Sequence, residues 1–117
     1  MSKAVASGIV ALLFPLAVAA QSVGGSYTVS GAGPDGVAYT GAAEITIEGT
    51  DCKLKMAFGN GEVSGICLQG DGVLATSYVA GGALTLVLYQ VQPDGVLNGK
   101  WSLSGMAGIG TEVLTPR

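Results

Sequence analysis

The chain has 117 residues, a formal net charge of −3 at neutral pH, and only 11% charged residues. No basic cluster is present that could neutralise nucleic-acid phosphates, so we expect no nucleic-acid partner. The sequence contains no histidine, which excludes the common catalytic triads, cysteine–histidine pairs and most zinc sites.

The first predicted element is a secretory signal at residues 1–20. A lysine precedes an apolar stretch at residues 9–20 that ends in small residues. The stretch is shorter than the ~20 apolar residues of a spanning helix, and Pro15 interrupts it, so an uncleaved anchor is the weaker alternative. Cleavage after Ala20 leaves residues 21–117 as one domain, periplasmic or secreted, with no membrane insertion.

Eight short β-strands are predicted after the signal. Glycine-rich turn signals recur at short intervals, and apolar and polar side chains alternate between them. We place strands near residues 25–30, 36–48, 52–58, 62–68, 73–79, 83–91, 95–103 and 110–115. Such an antiparallel meander favours an all-β, up-and-down barrel, because closure removes exposed edges; a two-sheet sandwich is the alternative.

Alternation assigns one face of most strands to the interior. The predicted inward set contains Val37, Tyr39, Ile45, Ile47, Leu54, Met56, Phe58, Leu97 and Trp101. Between residues 83 and 91 both faces are apolar, since three leucines alternate with Val87, Tyr89 and Val91. This strand is therefore either covered on both faces or exposes an apolar strip.

Cys52 and Cys67 are predicted to form a disulfide. An even number of cysteines in an exported chain favours a bridge. A hairpin centred near Gly59 and Asn60 pairs the two cysteines in the same register that places Leu54 and Met56 inward. The apolar pattern and the disulfide therefore agree on one hairpin.

Three Asp-Gly turns, two of them preceded by proline, are assigned structural roles. Their residues are Pro34, Asp35, Gly36, Asp71, Gly72, Pro93, Asp94 and Gly95. Aspartate oxygens are possible calcium ligands, but a calcium site gathers about six to eight oxygens, and the known calcium-binding loop patterns are absent from this sequence. We therefore expect no metal and no cofactor. In these turns, the aspartate side chain is expected to accept backbone hydrogen bonds, and the glycine is expected to adopt the left-handed region.

The repeated Pro-Asp-Gly hairpin is interpreted as one stable turn used twice rather than as a duplicated unit.

Catalytic groups are scarce. Carboxylates that could serve a glycosidase by residue type are Glu44, Glu48, Asp51, Glu62 and Glu112. The first two lie on predicted outward faces, and the next two flank turns. Lys53, Lys55 and Lys100 also fall on solvent faces, which argues against a perturbed lysine. We predict no catalytic residue and no enzyme activity.

Tyr39, Phe58 and Trp101 are candidates for either the core or the lining of a ligand site. A barrel of about eight strands is filled by side chains or holds one small ligand. Core packing is favoured for Tyr39 and Trp101, because both share a face with aliphatic neighbours.

A resemblance to a group of small exported proteobacterial proteins extends over residues 27–114. It is carried by Tyr27-x-Val29, Pro34-Asp35-Gly36-x-x-Tyr39-x-Gly41, Leu88-Tyr89-x-Val91, Asp94-Gly95-x-Leu97-x-Gly99-x-Trp101 and Gly110-x-Glu112-x-Leu114. Members of that group are often labelled fibronectin-binding proteins. The resemblance implies a small β fold and an extracellular-matrix partner, fibronectin, without indicating which residues would bind it.

The functional expectation is an exported, non-enzymatic binding module that uses an exposed β surface and whose ligand the sequence does not identify. The alternative is a carrier that holds a small apolar ligand within the barrel. A cavity smaller than roughly a few hundred Å³ would argue against the carrier.

Overall fold

The computed structural model describes residues 22–117, which form eight antiparallel strands. They are β1 (Gly25–Ala32), β2 (Ala38–Glu48), β3 (Asp51–Phe58), β4 (Gly61–Gln69), β5 (Val73–Ala80), β6 (Ala83–Val91), β7 (Leu97–Leu103) and β8 (Gly110–Pro116). Each strand pairs with the next, and β1 also pairs with β8, so the sheet closes into a barrel. The predicted all-β meander and barrel closure are confirmed, and the sandwich is excluded. The predicted signal, residues 1–20, lies outside the described residues.

The turns form where the sequence predicts them. The N–H of Val37 donates to Oδ1 of Asp35 over 3.0 Å, and Asp94 accepts the equivalent bond over 3.1 Å in the turn between β6 and β7. Three turn glycines have φ angles of 87°, 75° and 87°, in the left-handed region that glycine tolerates: Gly36, Gly72 and Gly95. The two Pro-Asp-Gly segments therefore form the same type of turn.

The hairpin of β3 and β4 has the predicted register. Leu54 lies opposite Gly65, and Met56 lies opposite Val63. Cys52 and Cys67 form a disulfide, with their Cα atoms 5.0 Å apart. The bridge joins the two strands at the end of the hairpin away from its turn.

The barrel interior is filled along most of its length. Its buried apolar side chains are Val23, Tyr27, Val29, Ala43, Ile45, Leu54, Met56, Leu74, Tyr78, Val87, Tyr89, Leu97 and Leu114. At one end, Val23 is buried before β1 begins, and its carbonyl accepts a hydrogen bond from the Tyr27 hydroxyl (2.6 Å). The chain itself therefore closes this end of the barrel.

One predicted inward residue is wrong. Val37 is 65% exposed, whereas the alternation pattern placed it with Tyr39 inside. The physical reason is that β2 begins at Ala38, so Val37 belongs to the preceding turn, where the side-chain alternation of a strand does not apply.

Five interior aromatic rings lie directly opposite a glycine on the neighbouring strand. The pairs are Tyr39 with Gly31, Phe58 with Gly41, Tyr78 with Gly65, Tyr89 with Gly99, and Trp101 with Gly110. A Cβ atom on Gly99 would lie 2.6 Å from Cδ1 of Tyr89, closer than van der Waals contact allows. The missing side chain thus makes room for the ring inside a narrow barrel.

The outer surface of β4, β5 and β6 is apolar. Its exposed side chains, which we call the apolar face, are Ile66, Leu68, Val79, Leu84, Leu86 and Leu88. Strand β6 therefore exposes an apolar strip, one of the two alternatives left open by its sequence. Within residues 22–117 there is no helix of the length and apolarity needed to cross a membrane.

Candidate functional site: the pocket at the barrel mouth

The end of the barrel opposite Val23 contains a pocket of about 260 Å³. Four aromatic side chains and four others line it: Tyr39, Phe58, Tyr78, Trp101, Asn60, Ala80, Thr85 and Leu103. These residues lie near the turns that join β1 to β2, β3 to β4, β5 to β6, and β7 to β8. We call this site the mouth pocket.

The aromatic rings meet at steep angles instead of stacking. The ring centroids of Tyr39 and Phe58 are 5.7 Å apart with an interplanar angle of 81°, and those of Tyr39 and Trp101 are 6.4 Å apart with an angle of 64°. Edge-to-face contacts of this kind are favourable. The indole Nε1–H of Trp101 also donates to the carbonyl of Thr111 over 3.3 Å, which orients that ring. The rings of Tyr39, Phe58 and Trp101 therefore line the pocket at steep angles to one another and form a corner.

Glu112 lies beneath the mouth pocket inside the barrel and is only 1% exposed. Its Oε1 accepts a hydrogen bond from the Tyr39 hydroxyl (2.7 Å), and its Oε2 accepts one from the Tyr89 hydroxyl. In the strand pairing, Glu112 lies opposite Gly31 on one side and Gly99 on the other. Tyr39 consequently links the pocket wall to a buried carboxyl group.

The buried groups have shifted pKa values. Burial raises the pKa of Glu112, although the hydrogen bonds from Tyr89 and Tyr39 lower it in part. Burial also raises the pKa of Tyr78 to about 12, and the nearby Glu112 charge adds to that rise. The same two causes, burial first, raise the pKa values of Tyr39 and Tyr89. All three phenols are therefore protonated at neutral pH.

Cationic side chains of the described chain lie away from this carboxyl group. Lys53, Lys55, Lys100 and Arg117 are all exposed on the outer surface or at the terminus. The lysine positions agree with their predicted solvent faces. Inside the barrel, the groups that face the Glu112 carboxylate are tyrosine hydroxyls, so its negative charge has no cationic side chain beside it.

The structure brings three predicted site residues together. Tyr39, Phe58 and Trp101 all line the mouth pocket, and all three also pack against the core as partly buried side chains. The disulfide and the Asp-Gly turns lie outside the pocket lining.

Glu112 is the interior residue whose role the sequence reasoning missed. The four other candidate carboxylates are exposed: Glu44, Glu48, Asp51 and Glu62. The signal for Glu112 was its alternation with Gly110 and Leu114, both of which are buried on β8.

Among residues 22–117, no group of three or more acidic or thiol side chains is arranged to hold a metal ion.

No protein-family model matches the chain, and no curated protein is significantly similar to it. The mouth pocket and the apolar face are therefore the features of the structure that bear on its function.

Proposed function

We propose that the protein is an exported, non-enzymatic binding module that takes a small ligand in the mouth pocket. The observation that carries this proposal is the set of four aromatic walls at the open end of an otherwise filled barrel. Ligand sites are concave, largely apolar and aromatic, and often lie in barrel mouths. The pocket of about 260 Å³ lies just below the usual range of roughly 300–1,000 Å³, so it suits a small ligand.

The packing below the pocket argues for the mouth rather than the barrel centre as the ligand position. Met56, Leu74 and Tyr89 are fully buried in the middle of the barrel. An apolar ligand held within the barrel would have to displace such side chains, and removing packed core side chains costs several kcal/mol. A carrier of this deep kind is therefore the weaker proposal.

The chemistry of the pocket supports binding over catalysis. Among the described residues that line it, the ionisable ones are Tyr39 and Tyr78, whose raised pKa values keep them as hydrogen-bond donors instead of bases. Both oxygens of Glu112 already accept hydrogen bonds from tyrosine. The disulfide fits export, because such bridges persist in oxidising compartments.

Trp101 gives a direct test, since it is the only tryptophan of the chain and lines the pocket. We expect a screen of small soluble compounds to yield ligands that change its fluorescence saturably. Phe58→Ala, which removes one wall, should weaken these ligands at least about fivefold, because stacked aromatic contacts contribute ~1 kcal/mol. Leu88→Ala, on the outer surface, is the matched control and should bind normally. Failure to find any ligand, or equal affinity in the Phe58 variant, would contradict the proposal.

The apolar face supports a second candidate function, binding of a protein partner. Exposed apolar patches of this kind mark interaction sites. Lys53 pairs with Ile66 at one margin of the face, and Lys100 pairs with Leu88 at the other. A partner with an apolar centre and acidic side chains around it would therefore match the face in charge.

Fibronectin, suggested by the resemblance, is the first partner to test on the apolar face. We expect its binding to be weak or absent, because the chain has no acidic or basic repeat tract. Affinity for immobilised fibronectin should be measured for the wild type, for Leu86→Ser, and for Val113→Ser on the outer surface of β8 as a control. Nanomolar binding that is lost only in the Leu86 variant would favour the apolar face over the mouth pocket as the functional site.

A further inference from the structure

The mouth pocket combines aromatic walls with a negative charge behind one of them. Glu112 is 1% exposed, and its Oε1 lies 2.7 Å from the hydroxyl oxygen of Tyr39, which lines the pocket. One hydrogen bond therefore separates the carboxylate from the pocket wall. In a low-dielectric interior, a charge at this distance acts more strongly than it would in water.

The charge of Glu112 also acts on a second side chain that lines the pocket. Glu112 contributes, after burial, to the raised pKa of Tyr78, whose side chain lines the same pocket. All lysines and the arginine of residues 22–117 are exposed. No basic side chain of these residues therefore lies inside the barrel to compete with a cationic ligand for the charge of Glu112. The hydroxyls of Tyr39 and Tyr89 donate to Glu112 and favour its ionised form, in which the carboxylate gives the pocket a negative potential.

The walls themselves favour the same sign of ligand charge. The faces of tyrosine, phenylalanine and tryptophan rings carry negative electrostatic potential and attract cations within about 6 Å of the ring centroid. Tyr39 meets Phe58 at 81° and Trp101 at 64°, so these rings present differently oriented surfaces instead of a stack. Such a corner suits a compact cationic group.

The volume limits how large that group is. An apolar cavity of roughly 150 Å³ holds a benzene molecule. The mouth pocket, at about 260 Å³, therefore accommodates a trimethylammonium group with a short substituent. Asn60 and Thr85, which also line the pocket, supply polar groups for a hydroxyl or amide on that substituent.

From these features we propose that the mouth pocket binds a small organic cation, an amine or quaternary ammonium compound, between its aromatic walls and above Glu112. The inference rests on the proposed function, because it names the ligand class of the same pocket. An anionic ligand is disfavoured by the buried carboxylate, and a neutral apolar ligand gains nothing from the charge.

Three probes of nearly the same shape test this inference by Trp101 fluorescence and calorimetry. The first probe is choline, and the second is its neutral analogue with carbon in place of nitrogen. The third is an anionic analogue, which also has carbon in place of nitrogen and carries a carboxylate in place of the terminal hydroxymethyl group. We expect choline to bind at least about tenfold more tightly than the neutral analogue, and the carboxylate to bind most weakly. Equal or tighter binding of the neutral analogue would overturn the cation inference and leave the small-ligand function standing. No binding of any probe at millimolar concentrations would overturn the inference too, and the broader ligand screen would then decide the proposed function.

Variants locate the source of the preference. Glu112→Gln keeps an acceptor oxygen for tyrosine and removes the charge, so the preference for choline over the neutral analogue should fall at least about threefold. Glu48→Gln removes an exposed carboxylate near the opposite end of the barrel and should leave the preference unchanged. An unchanged preference in a folded Glu112→Gln protein would exclude Glu112 as the cause. Should that variant fail to fold, the comparison of the three probes on the wild-type protein remains decisive.

Discussion

Single residues inside this barrel are constrained by the residue opposite them on the next strand. Tyr89 is fully buried, its ring covers Gly99, and its hydroxyl donates to the Glu112 carboxylate. The glycine is therefore required for space instead of for backbone flexibility, since its φ angle is not in the left-handed region. The same reasoning applies to each of the five aromatic–glycine pairs.

Gly99→Ala tests this requirement. The new Cβ would lie 2.6 Å from the Tyr89 ring, so we expect a loss of about 2 kcal/mol in the free energy of unfolding, as overpacked cores show. Gly61→Ala, where a Cβ meets nothing within 4 Å, is the control and should change stability by about 0.5 kcal/mol or less. Urea denaturation measures both. Equal stability of the two variants would mean that the ring moves aside at little cost.

Thr76 offers a change in the opposite direction. Its side chain is 1% exposed, and Oγ1 has no hydrogen-bond partner among the described residues. Because a buried hydroxyl without a partner is destabilising, Thr76→Val should raise the free energy of unfolding by about 1 kcal/mol. Thr40→Val, at an exposed position on β2, is the matched control for the change in β propensity. A destabilised Thr76 variant would indicate that the hydroxyl has a partner in solution.

At the scale of strands and hairpins, the disulfide is the main covalent constraint. Cys52 and Cys67 are 15 residues apart and close the hairpin of β3 and β4. A loop of this length corresponds to about 3 kcal/mol of stabilisation in the chain-entropy description. For a domain of this size, that is a large part of the total stability.

Cys52→Ser should therefore lower the melting temperature by about 15 °C, measured by circular dichroism. A reducing agent should lower the melting temperature of the wild type by a similar amount and have no effect on the variant, which serves as the control. A wild-type melting curve that does not respond to either change would show that the two thiols are not bonded in solution.

The sequence predicted the hairpins well because their signals are local. Asp35 and Asp94 with their following glycines define turns through bonds within a few residues, and the two cysteines fixed the register of β3 and β4. The aromatic–glycine pairs depend on register between strands that no such marker connects, so they could not be assigned. Glu112 was missed for a related reason: a lone carboxylate looks solvent-exposed until tyrosines from β2 and β6 are known to face it.

Considered as a whole molecule, the barrel places all four tyrosines of the chain in its interior. Burial raises the pKa of each, including Tyr78 to about 12. Glu112, beside three of them, also has a raised pKa. A group whose pKa is raised by folding stabilises the fold while it is protonated in the native state, and this contribution disappears as pH rises through its folded-state pKa. Ionisation of these interior groups therefore lowers the free energy of unfolding only as the pH rises.

Stability should consequently fall steeply above about pH 10, where phenols of the unfolded chain ionise and buried phenols do not. In this range the unfolded chain binds fewer protons than the native barrel, so each buried tyrosine contributes a loss of up to about 1.4 kcal/mol per pH unit. For Tyr78 the loss continues to about pH 12. Urea denaturation between pH 8 and 12 should show a shallower slope for Tyr78→Phe than for the wild type, because one titrating group is removed. Ultraviolet absorbance of tyrosinate is the control: it should rise together with unfolding, and a rise near pH 10 in a barrel that is still folded would contradict the buried state of these phenols.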